Sequence, residues 1–161
     1  MSEVADYRLV RNSTVGTELN EDKAKILAAK MGVRHLNDGE FLVKEGDVDK
    51  TLFVLATGKI LVTSKEAGGE ERSVYTMKEG DCAGTRAFVE QSPRKATLRA
   101  LGAATVYTLT PEDFESLLDA QPRVAFRVMQ ALFRVTHANL SRMNRESKDL
   151  SNYITKTHGR Y

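Results

Sequence analysis
Glycines set the rhythm of the first half of this chain. Gly39, Gly46, Gly58, Gly68-Gly69 and Gly80 follow one another at intervals of 7 to 12 residues. Glycine is costly inside a helix and cheap where the backbone must turn left-handed, so a segment punctuated this often is excluded from long helices. The runs between are short and rich in β-branched and aromatic residues: EFLV (40–43), TLFVLAT (51–57), KILVTSK (59–65) and ERSVYTM (71–77), then KATLRA (95–100) and ATVYTLT (104–110). Leu52, Val54 and Ala56 recur at every second position, as do Ile60 with Val62 and Leu98 with Ala100, the period of strands with a buried face. Many short strands at even spacing predict a sandwich or a barrel. The tetrapeptide Lys-Glu-Gly-Asp stands at 44–47 and again at 78–81, which predicts one turn used at two equivalent corners.

Helical periods flank this region. LNEDKAKILAAKM (19–31) places Leu19, Ile26, Leu27 and Met31 on one face, with Asn20 as cap, Glu21 and Asp22 in the first turn and Gly32 as the stop. Thr110 and Pro111 open a second helix, with Phe114, Leu117 and Leu118 facing inward. Pro122 starts a third and longer one, in which Met129, Phe133, Thr136, Leu140, Met143, Ser147, Leu150 and Ile154 are spaced 4, 3, 4, 3, 4, 3, 4. That is a heptad seam, continuing to Thr157 and Tyr161 unless Gly159 ends the helix, and it predicts a parallel coiled-coil homodimer. Residues 1–18 show no period and are expected to drape over the domain. The chain thus divides into an N-terminal segment (1–18), a β-rich domain (19–121) and a C-terminal helix (122–161).

A chain of 161 residues that is 41% hydrophobic is enough for one domain with a real core. No run approaches the ~20 apolar residues of a membrane span. Met1-Ser2-Glu3 does not open a signal peptide, and a single cysteine, Cys82, fits a reducing, cytoplasmic setting. Cys82 reads as a small buried apolar residue rather than a redox or metal handle. There is no nucleophile elbow, phosphate-binding P-loop or zinc-protease helix, and His35, His137 and His158 have no partners at ligand spacing. No catalytic residue, metal or required cofactor is therefore predicted. Charge is uneven: residues 121–161 carry eight Lys/Arg against two Asp/Glu, the preceding 120 residues 16 against 20. The outer face of a coiled coil accounts for the basic excess; an acidic partner, a membrane surface or nucleic acid is the alternative.

The stretch from Gly80 to Ala96, GDCAGTRAFVEQSPRKA, carries the binding chemistry. A glycine turn feeding a helix N-terminus presents a row of free backbone N–H groups suited to an anion. A nearby arginine adds a cationic fork matched to phosphate. Together with Asp38-Gly39-Glu40, Lys44-Glu45-Gly46-Asp47, Thr57-Gly58-Lys59, Gly80-Asp81, Gly84, Ala87 and Pro93-Arg94-Lys95-Ala96-Thr97, the element order resembles the cyclic nucleotide-binding domain family. That family includes the bacterial catabolite activator proteins and the regulatory subunits of cyclic-AMP-dependent kinase. The resemblance covers residues 19 to 150. It implies a mainly β fold with helices, an eight-stranded jelly-roll barrel flanked by an N-terminal helix and a long C-terminal dimerisation helix.

The resemblance also implies a site. Ala83-Gly84-Thr85-Arg86-Ala87-Phe88 stands where the family's phosphate-binding cassette reads Phe-Gly-Glu-Leu-Ala-Leu. Gly84 matches, the N–H groups of Ala87 and Phe88 would face a phosphate, and Arg94 would pair with it. Thr85 replaces the glutamate that binds the ribose 2′-hydroxyl, and Arg86 replaces an apolar residue. With Lys95, the mouth becomes more positive, so the expected ligand is a cyclic mononucleotide or a more anionic relative such as a cyclic dinucleotide. Thr136 lies where members touch the purine across a dimer, and is also a seam position.

Two readings follow. One is a non-enzymatic regulatory module that binds a small phosphorylated ligand and signals through its C-terminal helix to an unknown protein effector. The other is a degenerate, ligand-free dimerisation scaffold that delivers a basic helix to a partner. Finding Arg94 turned to solvent or locked to an acidic neighbour would favour the scaffold. Members that regulate transcription place a helix-turn-helix after the long helix; this sequence ends at Tyr161, so direct DNA readout is not expected.

Overall fold
A computed structural model describes residues 3–65 and 69–158 of the chain. Two short helical pieces open it, α1 (Tyr7–Arg11) and a 3-10 turn (Thr14–Gly16), followed by α2 (Glu21–Lys30). Six strands follow: β1 (Gly32–Leu36), β2 (Phe41–Val43), β3 (Leu52–Lys65), β4 (Glu71–Met77), β5 (Cys82–Ala83) and β6 (Thr97–Leu109). Helix α3 (Thr85–Glu90) sits between β5 and β6, and α4 (Pro111–Ala120) and α5 (Pro122–His158) complete the order. The sheet is antiparallel in the order β1-β6-β3-β4, with β2 also on β6 and β5 also on β3.

Among the described residues six strands are seen, where the resemblance implies eight. The runs 51–57 and 59–65 are one strand, β3, and the runs 95–100 and 104–110 fall in one strand, β6. Each bends at a glycine, Gly58 (φ 92°) and Gly102 (φ 73°), and the ladder between them slips register rather than ending. Gly58 is dictated by space as well as conformation: a Cβ there would stand 2.5 Å from the Ala103 carbonyl oxygen. The strands β1 and β5 were not legible, because Gly32-Val33-Arg34-His35-Leu36 and Cys82-Ala83 carry no usable alternation.

The first part of β3, Leu52 to Ala56, is buried on both faces. Leu52, Val54 and Ala56 join Tyr107 and Leu109 in packing against the helices, with Leu27, Phe114, Leu117, Val124 and Val128 opposite. Phe53, Leu55 and Ile60 turn the other way, into the fold of the sheet with Leu36, Leu98, Ala100 and Val106. The N-terminal segment, read as patternless, contributes Ala5, Val10 and Val15 to the helical core. The Asp6 amide donates to the Tyr107 hydroxyl at 3.0 Å. Helix caps follow the sequence: Asn20 accepts from the Lys23 amide and Thr110 from the Asp113 amide. Two details differ. Helix α2 stops at Lys30, leaving Gly32 to start β1, and Leu118 is turned outward, 48% exposed.

The repeated tetrapeptide builds the same turn twice. In each, the fourth residue's amide donates to the first residue's carbonyl at 3.0 Å, and its carboxylate accepts from the first residue's amide at 2.9 Å. Asn37-Asp38-Gly39-Glu40 makes a third copy, with Glu40 reaching back to the Asn37 amide at 3.2 Å. Positive-φ glycines occupy the third position of all three. Each turn then grips one residue of a neighbouring segment by its amide and carbonyl together: Ala100, Arg94 and Leu55 in turn.

Candidate ligand site
Arg94 is the residue held by the middle turn. The Gly46 amide donates to the Arg94 carbonyl and the Arg94 amide to the Asp47 carbonyl, both at 2.8 Å. Its side chain runs inward, and the residue is only 5% exposed. The guanidinium lies over the Phe53 ring, Cζ 5.0 Å from the centroid. Nη2 donates to the Thr51 carbonyl at 2.6 Å and to Asp49 Oδ2 at 3.2 Å. Arg94 is therefore locked to an acidic neighbour, the arrangement set above against a sensor. The lock is partial, however. Nε and Nη1 are buried and have no partner, and the Ser92 hydroxyl is in the same position. Buried donors are nearly always paired, so two unpartnered nitrogens on one guanidinium make Arg94 the candidate anchor for an acceptor.

Gly84 forms the floor beneath Nη1. Its φ of 87° is left-handed, and a Cβ would stand 2.4 Å from Arg94 Nη1 and 2.9 Å from the Thr51 carbonyl oxygen. Only glycine fits both demands. It caps α3, and the first hydrogen bond of that helix runs from the Phe88 amide to the Gly84 carbonyl at 3.0 Å. This corrects one expectation. The Phe88 amide is spent inside the helix and its ring packs edge-on against Phe114, centroids 5.4 Å apart. Among the expected amides only that of Ala87 precedes the first helical bond.

The other expected residues are placed as follows. The Thr85 hydroxyl lies 3.9 Å from Cys82 Sγ. Arg86 points to solvent and faces Glu90 one turn on, at 3.7 Å. Lys95 is exposed. Thr136 is exposed on α5, and its hydroxyl donates to the Leu132 carbonyl at 3.0 Å. The seam positions Leu140, Met143, Leu150, Ile154 and Thr157 have side chains outside the described residues, as do Gly159 and Tyr161 entirely.

Two ionisable groups near the cradle are shifted. Burial alone would raise the Asp49 carboxyl, but the Thr51 hydroxyl and the Arg94 guanidinium outweigh it and hold it below the usual carboxylate range. Burial pushes the Cys82 thiol up, which keeps it protonated and unreactive. The partners Asp49, Thr51 and Phe53 were missed from sequence. Asp49 follows the repeated turn by two residues, which was the available signal.

A second feature lies on the other side of α3. A cleft of about 480 Å³ runs between α3 and α5, lined by Thr85, Val89, Phe126, Met129, Phe133 and Thr136 among others. Phe126 stands three residues before Met129 and so extends the seam by one step that the sequence reading had left out. Among the described residues no group of three or more His, Cys, Asp and Glu could hold a metal, and no helix is long and apolar enough to cross a membrane.

The sequence matches the cyclic nucleotide-binding domain family over residues 33–121. The chain belongs to that family. It is 28% identical over 97 residues to cGMP-dependent protein kinase 2 of Mus musculus, which is 59% of this chain but 13% of the kinase. The chain thus spans about an eighth of such curated relatives. Its fold is similar to that of the Thermus thermophilus catabolite activator protein, at a TM-score of 0.78 and 22% identity over 86% of this chain and 63% of that one. It is also similar to the regulatory subunit of a cAMP-independent protein kinase A from Trypanosoma brucei, at a TM-score of 0.69 and 19% identity over 81% and 45%. Cyclic nucleotide-binding domains are regulatory modules, and that much of the expected function is settled by the family.

Proposed function
We propose that this member is a non-enzymatic regulatory module that takes a cyclic nucleotide or related phosphorylated ligand at Arg94 and the first turn of α3. The observation that carries the reading is the pair of buried, unpartnered N–H groups on Arg94 beside Gly84. Leaving a buried donor unpaired costs about 1–3 kcal/mol, and a phosphoryl oxygen placed between Arg94 and the Ala87 amide would satisfy such donors. Asp49 is the internal competitor, so binding requires the guanidinium to exchange a carboxylate for a phosphate.

Thr85 sets the class of ligand. A neutral hydroxyl in place of the glutamate forfeits a charge-assisted bond to the ribose, worth about 1.5–3 kcal/mol, or roughly tenfold to a hundredfold in affinity. Arg86 and Lys95 favour a ligand with more negative charge, a cyclic dinucleotide among them. Signalling passes through α5 to a cytoplasmic protein effector, with two copies joined along the heptad seam and the strands rolled into a jelly roll. Calorimetric titration with cyclic AMP, cyclic GMP and a cyclic dinucleotide tests this. Heat is expected with at least one of them, and none in Arg94→Ala; silence with all three overturns it.

The Asp49 lock favours a second reading, the ligand-free dimeric scaffold that presents the basic α5 to a partner. In that case Arg94→Ala changes stability and leaves signalling intact.

A further inference from the structure
A polar hollow of about 350 Å³ opens between the middle turn, the paired ends of β3 and β4, and the start of β6. It shares no lining residue with the cleft between α3 and α5. Bonds between these segments brace its walls. The Glu45 amide donates to the Thr97 hydroxyl oxygen at 2.9 Å and the Lys65 amide to Glu45 Oε1 at 3.2 Å. The Thr63 hydroxyl donates to Glu71 Oε1, and Thr63 is only 5% exposed, so the side chain that holds Glu71 is itself fixed by packing. Each carboxylate is thus gripped by one oxygen and leaves the other open.

The cations lining the hollow are as uncommitted as those oxygens. Among the described residues neither Lys44 nor Lys65 has a carboxylate partner, and neither Glu45 nor Glu71 is in an ion pair. Lys44 Nζ rests over the Phe41 ring, 4.9 Å from its centroid; Arg99 also lies over that ring, at 5.8 Å, but does not line the hollow. Two ammonium groups and two held carboxylates leave neither an anion nor a cation favoured, since either meets like charge. A hydroxyl donates and accepts through one oxygen, so it serves both kinds of wall. A carbon ring that carries several hydroxyls also has an apolar C–H face, and Phe41, 40% exposed, offers a surface to it. We infer that this hollow binds a neutral monosaccharide, with Glu45 and Glu71 accepting from its hydroxyls and Lys44 and Lys65 donating to them. The site is independent of the ligand proposed for Arg94.

Amide chemical-shift titration of the full chain with glucose, galactose, mannose and N-acetylglucosamine tests the inference. At least one sugar is expected to shift the amides of Glu45, Lys65, Glu71 and Thr97 to saturation and to leave those of Gly84 and Ala87 in place. Glu71→Gln keeps an oxygen for the Thr63 hydroxyl but removes the charge. It is expected to weaken that sugar about tenfold or more, the scale of one charge-assisted bond. Glu45→Gln, on a different segment, carries the same expectation. Thr63→Val leaves Glu71 its charge without its hold and should also weaken binding, whereas Thr63→Ser should bind as the unmodified chain does, both with an unchanged circular dichroism spectrum. An affinity indifferent to both glutamine variants overturns the inference. So does the lack of a saturating shift with all four sugars. Saturation of the same amides by inorganic phosphate or by glycine, and not by a sugar, would assign the hollow to an anion or a zwitterion and overturns it as well. None of these outcomes touches the calorimetric test at Arg94.

Discussion

At the residue scale the decisive pair is Arg94 and Asp49. Asparagine at position 49 keeps an acceptor oxygen but loses the charge, so Asp49→Asn should tighten phosphoryl binding, by about tenfold on the scale of one charge-assisted bond. Calorimetry with cyclic AMP, cyclic GMP and a cyclic dinucleotide measures this. Stability should move the other way, and modestly, since the Asp49 side chain is 52% exposed and solvent screens it: of the order of 1 kcal/mol or less. The sign with pH is definite. A carboxyl lowered on folding stabilises the protein above its ordinary titration range, and the contribution fades as pH falls through the lowered folded value. The difference in melting temperature between Asp49→Asn and the unmodified chain should therefore shrink on acidification. Gly84→Ala meets both a left-handed φ and Arg94 Nη1, and should cost about 2 kcal/mol or more in urea unfolding. Cys82 should react with a thiol reagent more slowly in the native chain than in urea, because its thiol is half-buried and held protonated.

At the scale of elements, the three turns were only partly visible. Two share the letters Lys-Glu-Gly-Asp and were read as equivalent corners; the third, Asn37-Asp38-Gly39-Glu40, differs at three of four positions and escaped notice. The physics needs only a positive-φ glycine third and a carboxylate fourth. Gly46→Ala and Gly80→Ala should lower stability by similar amounts, about 1–2 kcal/mol for a forced left-handed alanine. Only Gly46→Ala should also weaken ligand binding, because only that turn holds Arg94. Equal effects on binding would mean that the turn does not position the arginine. The helices were legible where a cap and a period coincide, as at Asn20 and Thr110. Leu118 was misplaced because periodicity fixes the mean face of a helix and not its edge. The cassette helix was read correctly as a turn into a helix, yet Phe88 could not be known as core rather than site: nothing in six residues says which amide is first to be bonded inside the helix.

At the scale of the whole molecule, alternation at 52, 54 and 56 was true and incomplete. The intervening Phe53 and Leu55 are buried as well, since the bent sheet has helices on one side and its own far arm on the other. Continuity through Gly58 and Gly102 hides from composition, because a residue that permits a reversal also permits a bend. The N-terminal segment was illegible for a related reason: Ala5, Val10 and Val15 are buried from short pieces with no repeat to announce them. Glu18, paired with Arg134, joins that segment to α5. Glu18→Gln should leave the fold intact and speed amide hydrogen exchange in α5 around Arg134; unchanged exchange there would show that the pair does not steady the helix.

The grip of the middle turn on Arg94 has one more consequence. Both of its bonds go to main-chain atoms, so they survive whatever side chain position 94 carries. The turn works as a socket: lysine, glutamine or a neutral residue can be plugged in without re-laying the strand that follows. A lineage of such proteins could exchange one ligand chemistry for another, or discard ligands altogether, by single substitutions that leave the scaffold undisturbed.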